Sequence, residues 1–181
     1  MGYFIGVKAA DDLDRIVESL RGAIPGCTQE ALVGLRGQAH ITVAHLGRQM
    51  PDISTFEQIS QTCVPFEISF EGVSIFRNQR TTHLVLPVAM GNAEMKLMYA
   101  KLRKTGKSPD RVFNAHMTVA TVPTDAAGES VAYRKMLGFR EKFKSQKWGN
   151  MVVDSFKLFT STKGIVKVTD SWRLSGTEEV M

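Results

Sequence analysis

The chain has 181 residues, of which 43% are hydrophobic and 23% charged, a composition that excludes disorder, collagen-like repeats and low complexity. One domain spanning residues 1–181 is expected, long enough to bury roughly 70% of the surface of the unfolded chain without a metal or disulfide staple. The net charge of +5 and pI near 9.3 lean towards anionic partners without selecting one.

Cys27 and Cys63 share no CxxC spacing and propose no disulfide framework; two thiols fit a reducing cytoplasm. The start, MGYFIGVKAADD, lacks the basic and apolar regions of a secretory signal. No apolar run reaches the length of about 20 needed to cross a bilayer. Gly6 stands where a myristoylation signal takes serine or threonine.

In chain order, Tyr3–Val7 reads as a strand. A helix follows, capped by Asp11 or Asp12, with Leu13, Ile16, Val17 and Leu20 as its apolar stripe. Gly22, Pro25 and Gly26 end it. Ala39–Leu46 is a strand, and a helix runs from Asp52 or Ser54 to about Thr62. PFEISFEGVSIF alternates like a strand with one wet face. Thr81–Val88 is a strand after the polar turn Arg77–Arg80, and Gly91 opens a helix with Met95, Leu97, Met98 and Leu102 as apolar positions. GKSPDR reads as a loop, Val112–Val122 as a strand, and Glu129–Phe143 as a helix. Met151–Thr160 and Ile165–Leu174 form a closing strand pair around Thr162-Lys163-Gly164, and the chain frays from Gly176. Interleaved helices and directly joined strands predict an α+β fold with mostly antiparallel sheet.

One repeat stands out. AHITVA begins at Ala39 and AHMTVA at Ala115, 76 residues apart. Each lies on the last strand of the order strand, helix, HxT strand. The pattern predicts a duplicated half and two lobes related by a pseudo-twofold.

Alternate side chains on a strand share a face. His40 therefore lies with Thr42, and His116 with Thr118, while the residues between them point into the lobes. If the lobes oppose each other, two imidazoles and two hydroxyls meet in one cleft. That set suits a phosphodiester: one imidazole takes a proton, the other gives one to the leaving oxygen, and the hydroxyls hold the non-bridging oxygens. The scheme requires no metal or other cofactor.

On these motifs the sequence resembles the two-histidine (2H) phosphoesterases. HITVAHLG is similar to that family's first motif and RVFNAHMTVA to its second. The likeness extends over roughly residues 3 to 175. It implies a bilobal fold with helices outside a central cleft, catalysis by His40 and His116, and phosphate contacts from Thr42 and Thr118. It implies a cyclic nucleotide, an oligonucleotide or an RNA end as substrate. Family members open 2′,3′-cyclic phosphates on RNA, and others, some viral, destroy 2′-5′-linked or cyclic nucleotide signals. A non-catalytic nucleotide-binding module is the alternative from another class. No membrane and no obligate protein partner is implied. The bacterial RNA enzymes of the family often carry phenylalanine where this chain has His45 and arginine where it has Thr121. They also carry proline in place of Ala115, and a double proline where Lys8-Ala9-Ala10 stands.

Phe4 falls on the cleft face of its strand and is a candidate for stacking on a base. His83 falls on the cleft side of Thr81–Val88. It precedes His116 by 33 residues, as Phe4 precedes His40 by 36, so the two are expected at equivalent places in the two lobes. His45 counts onto the face of Ile41 and Val43, away from the cleft, and reads as structural. With His40 and His45 on opposite faces, and no HExxH, the four histidines propose no metal site. Two basic clusters, Lys101 to Lys107 and Arg140 to Lys147, read either as charged helix ends or as groups that steer an anion towards the cleft.

Overall fold

A computed structural model describes residues 1–24, 39–50, 52–105, 112–124, 130–162 and 165–177. The expected turn at Pro25 and Gly26, the GKSPDR loop and the Lys163-Gly164 turn lie outside the described residues.

The chain opens with β1 (Gly2–Lys8), α1 (Asp11–Gly22) and β2 (His40–Gly47), then α2 (Ile53–Gln61), β3 (Phe66–Glu71) and β4 (Ser74–Arg77). The opening order recurs in β5 (Thr81–Met90), α3 (Asn92–Leu102) and β6 (His116–Pro123). The chain closes with α4 (Val131–Lys142), β7 (Lys147–Val153), β8 (Ser155–Thr162) and β9 (Ile165–Arg173). The strands lie in the order β7-β3-β5-β6-β2-β1-β8-β9, with β4 also on β5. Every pairing among the described residues is antiparallel. The expected α+β class is what the structure shows.

Local chemistry accounts for the helices. Asp11, Asp12 and Asp14 sit in the first turn of α1 and Arg21 in its last, complementing the helix dipole. Asp52 caps α2 by accepting from the Ser54 amide, and Ser130 caps α4 by accepting from that of Tyr133. Leu13, Val17 and Leu20 form the buried stripe of α1.

The two halves of the sheet meet at one residue pair, Ile41 with Met117. Both side chains are fully buried. The helices cross this seam: α1 packs on β6 and β7, and α3 packs on β2. Arg21 adds a polar tie, donating from Nε to the Val119 carbonyl at 3.0 Å.

Several expectations need correction. PFEISFEGVSIF is two strands, because Gly72 turns the backbone at φ +72°. Its amide donates to the Gln146 carbonyl, its carbonyl accepts from Trp148 Nε1, and a Cβ there would lie 2.8 Å from the Lys144 oxygen. The expected strand Met151–Thr160 breaks at Asp154: β7 pairs with β3 in one lobe, and β8 with β1 in the other. The strand expected from Val112 begins only at His116. Leu97 is 65% exposed, because the buried row of α3 is Met95, Met98 and Leu102 and Leu97 falls outside that spacing.

Both HxT strands carry a bulge in the same place. Across β1 and β2 the register passes from Ile5–Ala44 to Gly6–Thr42, leaving Val43 as the extra residue. Across β5 and β6 it passes from Leu84–Ala120 to Val85–Thr118, leaving Val119 extra. Val43 and Ala44 both point inward, as do Val119 and Ala120, and all four are buried. A bulge inverts the alternation beyond it.

Gly6 lies against the first bulge. A Cβ there would stand 2.6 Å from the Ile41 carbonyl oxygen and 3.1 Å from the Phe159 ring. Gly6→Ala is therefore expected to destabilise the fold by about 1–3 kcal/mol. Gly138, inside α4 with nothing near its Cβ direction, should gain roughly 0.5–1 kcal/mol on change to alanine. Urea midpoints measure both; a Gly6→Ala midpoint at or above wild type would refute the predicted crowding.

Candidate active site

Antiparallel geometry at the Ile41–Met117 pair sets Thr42 on the side of His116, and Thr118 on the side of His40. The four polar side chains leave the face opposite the buried pair and enter one cleft. Two cavities, of about 570 Å³ and about 420 Å³, make up this cleft. His40 lines the first and His116 the second; Thr42, Thr118, His45 and His83 line both.

The two motif histidines are held differently. His40 lies on an aromatic base: its ring centroid is 5.0 Å from Phe4 and 5.0 Å from Phe159. Those two phenylalanines stack on each other at 4.9 Å, across the β1–β8 register. His116 is held by a polar contact, Nδ1 to the Asn114 carbonyl at 2.7 Å. A carbonyl only accepts, so Nδ1 carries the proton and Nε2 is left to exchange one with a ligand. The edge of His116 also meets Phe76 at 4.8 Å. Burial lowers the His116 pKa, against an opposing upward pull from the carbonyl bond.

Phe4 and His83 occupy equivalent positions, as the spacing predicts. Phe4 pairs across strands with His45, and His83 with Thr121. Phe4 lines the first cavity but is only 7% exposed, with one ring face covered by Phe159. His83 is fixed at both nitrogens, Nε2 to Thr81 Oγ1 and Nδ1 to Thr121 Oγ1, each at 2.9 Å. Its pKa is lowered by burial and, secondarily, by the nearby charge of His116.

His45 overturns the expectation made for it. Simple alternation puts it behind the sheet, yet the bulge at Val43 returns it to the cleft, where it lines both cavities. Its pKa is lowered by burial. Thr121 reaches the cleft through the matching bulge at Val119. The equal spacing of His45 and Thr121 after their motif histidines is the sequence signal that could have linked them. All four histidines thus border one cleft, although no group of three or more His, Cys, Asp or Glu among the described residues is placed to hold a metal ion. A further cavity, about 590 Å³, lies between α2 and the end of α3 beside Lys101 and Lys104; none of the histidines lines it.

A curled antiparallel sheet that brings two HxT strands to one cleft is the architecture of a phosphoesterase. The sequence profile of the 2′-5′ RNA ligase superfamily matches residues 9–160, and the chain belongs to this family, the two-histidine phosphoesterases. It is by class a phosphodiesterase. The RNA 2′,3′-cyclic phosphodiesterase of Archaeoglobus fulgidus is 28% identical over 165 residues, covering 87% of this chain and 89% of that protein. The same fold is found in TT0787 of Thermus thermophilus, with TM-score 0.66 and 16% identity over 98% of this chain and 100% of that one. It is found again in Escherichia coli LigT complexed with 3′-AMP, with TM-score 0.64 and 14% identity over 96% and 98% of the two chains. Among the described residues no helix is long and apolar enough to cross a membrane.

The three lowered imidazoles tie stability to pH. An imidazole whose pKa is lower in the folded state binds fewer protons there than when unfolded. Its contribution is present above the unfolded value of 6.5 and is lost as pH falls below it. Thermal stability should therefore decline from near pH 6.5 downward, and less steeply in His45→Gln or His83→Gln. His116→Gln should raise the His83 midpoint in an NMR titration, since it removes a repelling charge. A His83 midpoint that does not move would refute the coupling.

Proposed function

We propose that the protein hydrolyses a phosphodiester by paired acid–base catalysis at His40 and His116, without a metal or cofactor. Its substrate is a 2′,3′-cyclic phosphate at an RNA or nucleotide end. The observation that carries this reading is the crossing at Ile41–Met117, which sets each imidazole beside the other motif's threonine in one cleft. His116 is the base in the hydrolytic direction, because its fixed tautomer and lowered pKa leave Nε2 unprotonated near neutral pH. It takes a proton from water as the water oxygen bonds to phosphorus. His40, as imidazolium, gives a proton to the departing ribose oxygen, and the product is a monoester. Thr42 and Thr118 donate to the non-bridging oxygens, where transition-state charge accumulates. Phe4 bounds the substrate at the cavity wall and supports His40, and His83 contacts the phosphate side of the cleft.

The cyclic-phosphodiesterase activity named for the Archaeoglobus fulgidus relative supports this substrate class. A reducing cytoplasm belongs to the same reading, with Cys63 buried as a free thiol. A second substrate reading has its own support. The second cavity continues beyond His116 to Tyr99, Phe113 and Asn114, room for a nucleoside on the far side of the phosphate. That favours a cyclic or 2′-5′-linked oligonucleotide, and with it a role in destroying a nucleotide signal, as viral members of the family do.

The test is a product assay in EDTA on nucleoside 2′,3′-cyclic phosphates, an RNA with a cyclic phosphate end, 2′-5′ oligoadenylate and cyclic di- and trinucleotides. His40→Ala and His116→Ala should each lower activity about 10²–10⁴-fold while remaining folded. Loss of wild-type activity in EDTA, restored by metal, would refute the mechanism. Tight nucleotide binding without turnover would show a binding module instead.

A further inference from the structure

We infer that His45 and His83, one from each lobe, form a second imidazole pair that captures the substrate's phosphate by taking up protons as it binds. The inference rests on the phosphodiesterase reading for the chemistry of the ligand. It assigns to these residues a share of the pH dependence of affinity, beyond that of His40 and His116.

Position favours this role. His45 and His83 line both cavities, as do Thr42 and Thr118, so they stand where the cavities merge and the phosphate belongs.

Charge favours it too. No carboxylate is among the described residues that line either cavity, and Arg48 is the one residue of fixed positive charge there. The other cations among the described residues line neither cavity. The described ionisable groups that share a cavity with both His45 and His83 are Tyr3, His40 and Arg48 in the first cavity and Tyr99 and His116 in the second. Among the described residues that line the cavities, an imidazolium formed here meets cations and neutral groups. Burial holds both imidazoles below their ordinary pKa. A phosphate anion supplies a counter-charge in the cleft, and its arrival favours protonation.

The seat of His83 suits a group that titrates in place. Each of its nitrogens faces a threonine hydroxyl, and a hydroxyl can donate or accept. The ring can therefore gain or lose a proton by rotation of Thr81 and Thr121 hydroxyls, without losing a hydrogen bond. His116 differs, because its carbonyl partner fixes one nitrogen as a donor. The fold thus provides one histidine with a set tautomer for proton transfer and another able to change its charge where it sits.

The test is calorimetric binding of a 2′-O-methylated dinucleotide phosphodiester, singly charged throughout, from about pH 5.5 to about 8, the range in which imidazoles titrate. For wild type, affinity should fall as pH rises, approaching tenfold per unit for each proton taken up. Heats measured in buffers of different ionisation enthalpy should show net proton uptake. His45→Gln and His83→Gln should each reduce the uptake and weaken binding at acid pH by about tenfold. They should raise KM more than they lower kcat. In the double variant the slope and the proton uptake should be clearly smaller than in wild type, leaving the part that His40 and His116 contribute, with near-UV circular dichroism checking the fold. A double variant that keeps the wild-type slope would overturn the capture pair. If the slope shrinks but wild type cleaves no diester in the panel, the capture pair stands and the phosphodiesterase reading falls. If wild type cleaves a diester and the slope survives in the double variant, the capture pair falls and the phosphodiesterase reading stands.

Discussion

The cleft depends on the antiparallel crossing of β2 and β6 at Ile41 and Met117. Burying these two side chains on the helix side turns the flanking histidines and threonines outward together. Antiparallel pairing then places unlike motif residues side by side. A parallel crossing would bring imidazole to imidazole and hydroxyl to hydroxyl. The crossing instead alternates imidazoles with hydroxyls, so one geometric element performs both the packing and the arrangement of the polar side chains.

The bulges extend this arrangement by one layer. By inserting Val43 and Val119 immediately after the motifs, both strands return a second side chain to the cleft, His45 in one lobe and Thr121 in the other. Gly6 makes room for the first bulge, and Arg21 satisfies the carbonyl of the extra residue in the second. The second layer is asymmetric: Phe4 and His45 face His83 and Thr121. The first layer is symmetric in its residue types, and the second differentiates the two ends of the cleft. Positions 45 and 121, where the bacterial RNA enzymes of this family often carry phenylalanine and arginine, are the two positions the bulges expose.

Much of this was legible in the sequence because it rests on period-two alternation. His40, Thr42, His116, Thr118, Phe4 and His83 all lie where alternation within an unbroken strand segment places them. His45 was not legible, since the bulge that moves it is decided by pairing with β1 rather than by the letters of β2. The break at Asp154 was hidden for a related reason. Val152, Val153, Phe156 and Leu158 read as one apolar run, but the residues before Asp154 pair in one lobe and those after it in the other. The Asp154 carbonyl, accepting from Leu174 at 2.7 Å, marks the crossover. Composition and charge located no part of the site: Lys101, Lys104 and the cluster after Arg140 all lie away from the cavities that hold the histidines.

The exchange of helices across the seam has a consequence for how such a chain could arise. The helix joining the first two strands packs on strands of the second half, and the helix of the second half packs on β2. A half-length precursor built this way would leave its own helix without a sheet to cover and its motif strand without a partner. It could bury its core only by lending that helix to a second copy, making an exchanged dimer with one cleft on the twofold axis. In such a dimer every mutation beside the phosphate appears twice. A single chain is free of that restriction, and the unlike pairs Phe4–His45 and His83–Thr121 stand around a centre whose residue types remain symmetric.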